Sequence, residues 1–386
     1  MLNNGFVRSI EPQRFPALKK LYFMAVWIVL LVSSSVFCQS IQKQGDRPLH
    51  MLVLGDSILW GQGLKSENKT WYHVKLWLER TTKRRVVERI EAHSGAVIER
   101  SSLTDNLTSS NREVNVGLPT INDELDEAVR FYSDPSQVEL VLVSGCGNDV
   151  GLQNLLNASN TAEVDDMTEA KCGKPVENLL HGIANAFPSA QIILTGYYPF
   201  FSSETRNDFV VKALARRFFK TQPNGEPRMS SKEVFERLKV NSNQWHQTST
   251  IRLAEAVRRI NAELGRQQIL FAKIDFPSDY SFAAPKSHLW GLNRSPFRMT
   301  LLLLSFGKIL LPSNDEVRKQ RTSSCNVVYK KRPNETAEAQ NDRKALRLLC
   351  RYAALGHPNK KGAMLYANSI TEVLKSSSVA AAASGP

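Results

Sequence analysis

Cysteine is scarce: five among 386 residues. No two stand at a metal-ligand spacing, so no zinc site is expected. Nor does any other pattern call for a cofactor. Internal repeats are missing, which sets aside solenoids and propellers. Cations are in excess, 50 Lys and Arg against 37 Asp and Glu for a net charge of +13. They fall in separate clusters (Arg80–Arg85, Arg216 and Arg217, Lys330–Arg332), and no stripe interleaves them with aromatics. That argues against a nucleic-acid partner and leaves an anionic surface as the weaker alternative. Met299–Leu311 is strongly apolar but short of the roughly 20 residues a membrane span needs. It reads as a buried helix, with a lid or acyl-chain wall as the sharper alternative.

What is present starts with a targeting segment. Lys19 and Lys20 precede the apolar run Leu21–Val32, then come Ser33–Ser35 and Cys38-Gln39-Ser40. This is the order of a secretory signal, and an uncleaved N-terminal anchor is the alternative. Residues 1–40 are assigned to one or the other. Both imply a secreted or extracytoplasmic protein, and an anchor adds membrane association through that segment. Without Cys38, four cysteines remain, an even number suited to two disulfides in an exported chain. Of three pairings, Cys146–Cys172 with Cys325–Cys350 closes the shorter loops and is the one expected.

Strand expectations are His50–Gly55, Arg85–Ala92, Val138–Ser144, Gln191–Thr195 and Ile269–Ile274. Helical spacing covers Thr70–Arg80, a segment opened by Pro119 and running to Phe131, Val176–Phe187, Arg206–Lys220, Ser249–Leu264, Lys344–Ala354 and Gly362–Leu374. Near-continuous apolar strands alternating with helices imply right-handed βαβ units and a three-layer α/β/α sandwich around a parallel sheet of about five strands. One domain, 48–375, is expected, enlarged by insertions around 200–250 and 276–345. The Ser376–Pro386 tail is small and polar.

Three turns follow predicted strand ends: Gly55-Asp56-Ser57, the turn at Gly95, and Gly145–Asp149. In a parallel sheet these edges converge. His357, in the loop Gly356-His357-Pro358-Asn359 before the last helix, completes the set. Ser57 can attack a carbonyl and His357 can take and return its proton. The backbone N–H groups of Ser57 and Gly95 and the amide of Asn148 can receive the developing oxyanion. Asp56 is expected to brace the turn. His93, close to Gly95, is the rival base. Trp60, Trp290, Tyr197 and Tyr198 are read as core or pocket lining.

These blocks resemble the SGNH hydrolase superfamily, also called GDSL-like lipases and esterases. GDSILWGQG (Gly55–Gly63) parallels the family's GDS-x-x-x-G-x-G. Gly95 stands for the second block. SGCGNDVG (Ser144–Gly151) supplies Asn148 and Asp149, and GHPNKKGAMLYA (Gly356–Ala367) supplies the histidine block. The resemblance implies a flavodoxin-like sheet and serine ester hydrolysis through an acyl-Ser57 intermediate. The substrate would be a lipid ester, a short acyl ester or an O-acyl glycan. The family usually has glycine where this chain has Cys146. Its triad aspartate would stand at Ala354, and no acid lies between Cys350 and Gly362. Three alternatives follow: a Ser57–His357 dyad with a backbone carbonyl holding the ring, which is preferred; a substitute carboxylate such as Asp275 or Asp279; or a weak or inactive protein that binds an acylated or glycan ligand.

Overall fold

The structure, a computed structural model, describes residues 47–99, 111–114, 120–212, 229–305 and 311–376. The targeting segment 1–40, Pro119, most of the 101–118 loop, residues 213–220 of the helix expected at 206–220, residues 306–310 and the tail beyond Ser376 lie outside them. Among the described residues no helix is long and apolar enough to cross a membrane.

Five strands form one sheet: β1 (Leu49–Leu54), β2 (Val86–Ile90), β3 (Val138–Val143), β4 (Gln191–Thr195) and β5 (Ile269–Ala272). The order is β2-β1-β3-β4-β5, and every pairing is parallel. Leu52 faces Arg89 on one side and Val141 on the other. The strands lie within two residues of the apolar runs that predict them. Such runs are the mark of strands covered on both faces.

The helices, in chain order, are α1 (Ser57–Trp60), α2 (Thr70–Thr82), α3 (Ile121–Phe131), α4 (Gly147–Val150), α5 (Leu152–Leu155), α6 (Val164–Cys172), α7 (Lys174–Ala186), α8 (Ser231–Leu264), α9 (Pro296–Leu304), α10 (Arg318–Val328), α11 (Ala337–Arg351) and α12 (Lys360–Leu374). Leu49, Met51 and Val53 pack with Trp71, Val74 and Leu78 of α2 and Ala367, Ile370 and Leu374 of α12. Leu52 and Leu54 point the other way, towards Ile121 and Leu125 of α3, Leu180 and Ile183 of α7 and Val257 and Ile260 of α8. The period of two along each strand thus builds two cores, one per face. The three-layer expectation holds.

Several boundaries differ from the sequence expectation. Helix α3 is opened by a capping box: Thr120 Oγ1 accepts from Asp123 N (3.1 Å), and Thr120 N donates to the Asp123 carboxylate (3.0 Å). The expected helix at 249–264 is the second half of a 34-residue helix that starts behind the Ser230 cap. Helix α6 has no counterpart among the expected helices. Only Val164, Thr168 and Cys172 are buried there, one face of an otherwise acidic segment. Helix α9 is not simply buried, since Phe297 and Leu304 are each 73% exposed.

The disulfides are Cys146–Cys172 and Cys325–Cys350. The first explains the departure at position 146. Cys146 has φ +93°, a left-handed conformation that favours glycine, the residue the resemblance leads one to expect there. A non-glycine residue held so costs on the order of 1–3 kcal/mol, and the cross-link to α6 offsets it. Hence Cys146→Gly should lose less stability than Cys146→Ala, by about 1 kcal/mol, in chemical denaturation. Equal losses would remove this account.

Candidate active site

The turn after β1 is over-determined. Gly55 has φ +123°, and a Cβ there would lie 2.3 Å from the Ser144 carbonyl oxygen, so only glycine fits. Its N–H donates to Glu124 Oε2 at 2.7 Å, and its carbonyl accepts from His93 N at 2.8 Å. Asp56 caps α1: Oδ1 accepts from Ile58 N (2.9 Å) and Ser144 Oγ (2.7 Å), and Oδ2 accepts from Tyr197 OH (2.6 Å). Burial raises the pKa of Asp56, against the pull of those donors. Burial likewise holds Glu124 well above the ordinary range. Ser57 is the first residue of α1, where a backbone N–H has no intrahelical acceptor, and among the described residues none accepts from it.

The third block grips the second. Asn148 Nδ2 donates to Ala96 O at 2.8 Å. The Asp149 carboxylate accepts from Ile98 N at 3.0 Å, and burial raises its pKa to about 6. Between them Gly95 turns at φ +81°, and its N–H finds no acceptor among the described residues. The Tyr197 hydroxyl that donates to Asp56 also accepts from Gly147 N at 3.0 Å. One phenol therefore ties the serine turn to the segment carrying Asn148.

His357 meets Ser57 from across the sheet edge, with Nε2 2.7 Å from Ser57 Oγ. With Nε2 accepting the hydroxyl proton, the ring's own proton sits on Nδ1. That atom is buried without a hydrogen bond. The carbonyls of Leu355, Ala353 and Ala354 lie near enough to favour a proton on the ring. Burial first, and then the Arg321 cation, push the other way and lower the imidazole to about 4.

Contrary to the expected dyad, no carbonyl holds the ring by a hydrogen bond at Nδ1; what is fixed is the backbone of its loop. Trp290 N donates to His357 O (2.7 Å) and Gly356 N to Trp290 O (2.9 Å). Tyr198 OH donates to Gly356 O (2.7 Å). Asn359 accepts from Lys361 N and Gly362 N and so fixes the start of α12.

Among the described residues no carboxylate meets His357 Nδ1. Asp275 is exposed and Asp279 pairs with Lys286 at 3.0 Å, so neither substitutes. His93 is corrected as rival base. Its side chain is buried with both ring nitrogens unpartnered, so neither meets Ser57 Oγ, which pairs with His357.

Behind the histidine lies a charge cluster with no counterpart in the sequence blocks. Arg321, with no exposed surface, donates to both Asp315 oxygens (3.0 and 2.6 Å) and to Glu113 Oε1 (2.8 Å). Glu113 also accepts from Trp60 Nε1 (2.8 Å) and Gly63 N (2.9 Å), so the cluster reaches the serine block. A Cβ added at Gly63 would lie 2.9 Å from Ala354 Cβ and 3.0 Å from Asp315 Cβ. The neighbourhood of Ala354 is therefore closely filled.

Ser57, Asp56, Asn148 and His357 line one cavity of about 110 Å³; Gly95 does not line it. Its wall also includes Leu152, Leu155, Leu156, Phe200, Phe201, Trp245 and Leu355, with Tyr197, Tyr198 and Ser242 among the polar residues. Sequence reasoning missed Ser144, Glu124 and Trp245. Ser144 stood inside a recognised block without a role. Nothing in the local pattern marked the other two. The described residues of Met299–Leu311 do not line the cavity. Among the described residues no group of His, Cys, Asp and Glu is placed to hold a metal.

No family profile matches the chain, and no curated protein matches it. Solved structures that it resembles include lipases and esterases. Phospholipase A1 from Streptomyces albidoflavus is 16% identical, with 64% of this chain and 88% of that one covered at a TM-score of 0.38. An extracellular lipase from Streptomyces rimosus is 14% identical, with 64% and 89% covered at 0.37. A family two carbohydrate esterase from Clostridium thermocellum is 12% identical, with 61% and 56% covered at 0.33. These likenesses are distant.

Proposed function

We propose that this protein is a serine ester hydrolase working through a Ser57–His357 dyad. The observation that carries the proposal is the 2.7 Å approach of Ser57 Oγ to His357 Nε2 at the wall of a cavity. Ser57 Oγ attacks the ester carbonyl and its proton passes to His357. The C–O bond to the alcohol breaks, and His357 returns the proton to the leaving alkoxide. Water then attacks the acyl-Ser57 carbonyl through the same base, which releases the acid and restores the serine hydroxyl. The N–H groups of Ser57 and Gly95 and the Asn148 amide are the oxyanion donors in this scheme. Asp56, Tyr197, Glu124 and Asp149 position the two segments that carry them.

A fluorophosphonate should form one adduct, on the peptide containing Ser57. A folded protein that stays unlabelled would contradict the proposal.

The pH profile carries a second test. A base must be neutral, and the His357 pKa is lowered to about 4. Turnover should therefore persist below the ordinary histidine range and fall only as pH drops through about 4. An acid limb near 6.5 in the unmodified protein would count against the buried, unpaired ring.

A further inference from the structure

Given Ser57 as nucleophile, we infer that the substrate is an ester whose acyl group is apolar and larger than acetyl, and that this group lies against Trp245. The inference rests on the proposed hydrolase function and narrows its substrate.

The cavity beside Ser57 is walled by Leu152, Leu155, Leu156, Phe200, Phe201 and Trp245. Trp245 is 4% exposed and packs on Tyr197 with ring centroids 4.9 Å apart. Leu152, at the other extreme, is 45% exposed. Several polar groups of the wall are already engaged. Ser242 Oγ accepts from Phe201 N at 2.8 Å. Tyr197 OH serves Asp56 and Gly147 N. Tyr198 OH donates to Gly356 O. The Asp56 carboxylate is taken up by Ile58 N, Ser144 and Tyr197. Among the described residues no Lys, Arg or Glu lines the cavity. A sugar ring entering it would lose water from its hydroxyls and find few partners, a cost that apolar carbon does not bear.

The acyl part is the part this cavity suits. It stays bonded to Ser57 Oγ after the alcohol has left, and water must then reach its carbonyl from the side the alcohol vacated. An apolar recess holds the acyl group while leaving that side open. Trp245 and Ser242 come from α8, so the long helix that enlarges the sheet domain also shapes the pocket.

The test is a series of 4-nitrophenyl esters from acetate to decanoate on the full chain, with fluorophosphonate labelling in parallel. Burying each added methylene raises kcat/KM about fourfold, so hexanoate should exceed acetate by on the order of a hundredfold. Leu155→Trp, which fills the recess, should collapse that ratio to near one. Acetate equal to or better than hexanoate, with Ser57 still labelled, would overturn the acyl assignment and leave the hydrolase standing. No cleavage of any ester above the Ser57→Ala background, with Ser57 unlabelled, would overturn both.

Discussion

Ser57→Ala and His357→Ala should each lower ester turnover by about 10⁴-fold or more, and the double substitution should lower it hardly further. The reason lies in how the pair works. Without His357 the serine proton has no acceptor within reach. Without Ser57 the imidazole has no nucleophile to activate. Groups that act as one unit are strongly non-additive: losing either costs nearly what losing both costs. Residual turnover in all three variants would come from the oxyanion donors and binding alone. The measurement is kcat on a short-chain nitrophenyl ester, with circular dichroism to confirm folding. Multiplicative losses would mean that the two side chains act separately. Unchanged rates in Ser57→Ala would mean that the ester is cleaved elsewhere.

Arg321→Met should cost about 3–5 kcal/mol of stability, because it strands two carboxylates in the interior. Asp315 and Glu113 face the guanidinium at 2.6 and 2.8 Å, and neither side chain is more than 5% exposed. The planar fork satisfies both acids at once, which a lysine ammonium cannot. Arg321→Lys should therefore also lose stability. Helix α10, which carries Arg321, is joined to α11 by Cys325–Cys350. Beyond α11 the chain turns directly into the loop of His357, so the cluster underpins the base as well as the fold. Urea unfolding is the measurement, and a loss below about 1 kcal/mol, the scale of an exposed pair, would show the cluster to be far more solvated than its burial implies.

The two halves of the molecule differ in how far residue order reveals them. The strands were legible because burial on both faces demands unbroken apolar runs, and Val138–Val143 and Gln191–Thr195 are such runs. Ser57, Asn148 and His357 were legible because each sits in a short block where turn chemistry and reactive side chain coincide. Helix α6 was not, since burying one residue per turn leaves a polar segment with little periodic contrast. The Arg321 cluster was not either. Its partners are separated by 208 and 6 residues, and a pairing made only in space leaves no local pattern. Cys146 is the instructive case: the missing glycine looked like a defect, and the fold shows a glycine-like backbone held by a cross-link.

The central claim is that an acyl group rests covalently on Ser57 during turnover. Quenching the protein in acid during hydrolysis of a slow ester, then mapping the peptides by mass, tests this directly. The account predicts one added acyl mass on the peptide containing Ser57, absent in Ser57→Ala. Steady turnover with the acyl group on another residue, or with no acyl-enzyme under conditions where product release is limited by hydrolysis of that intermediate, would contradict it.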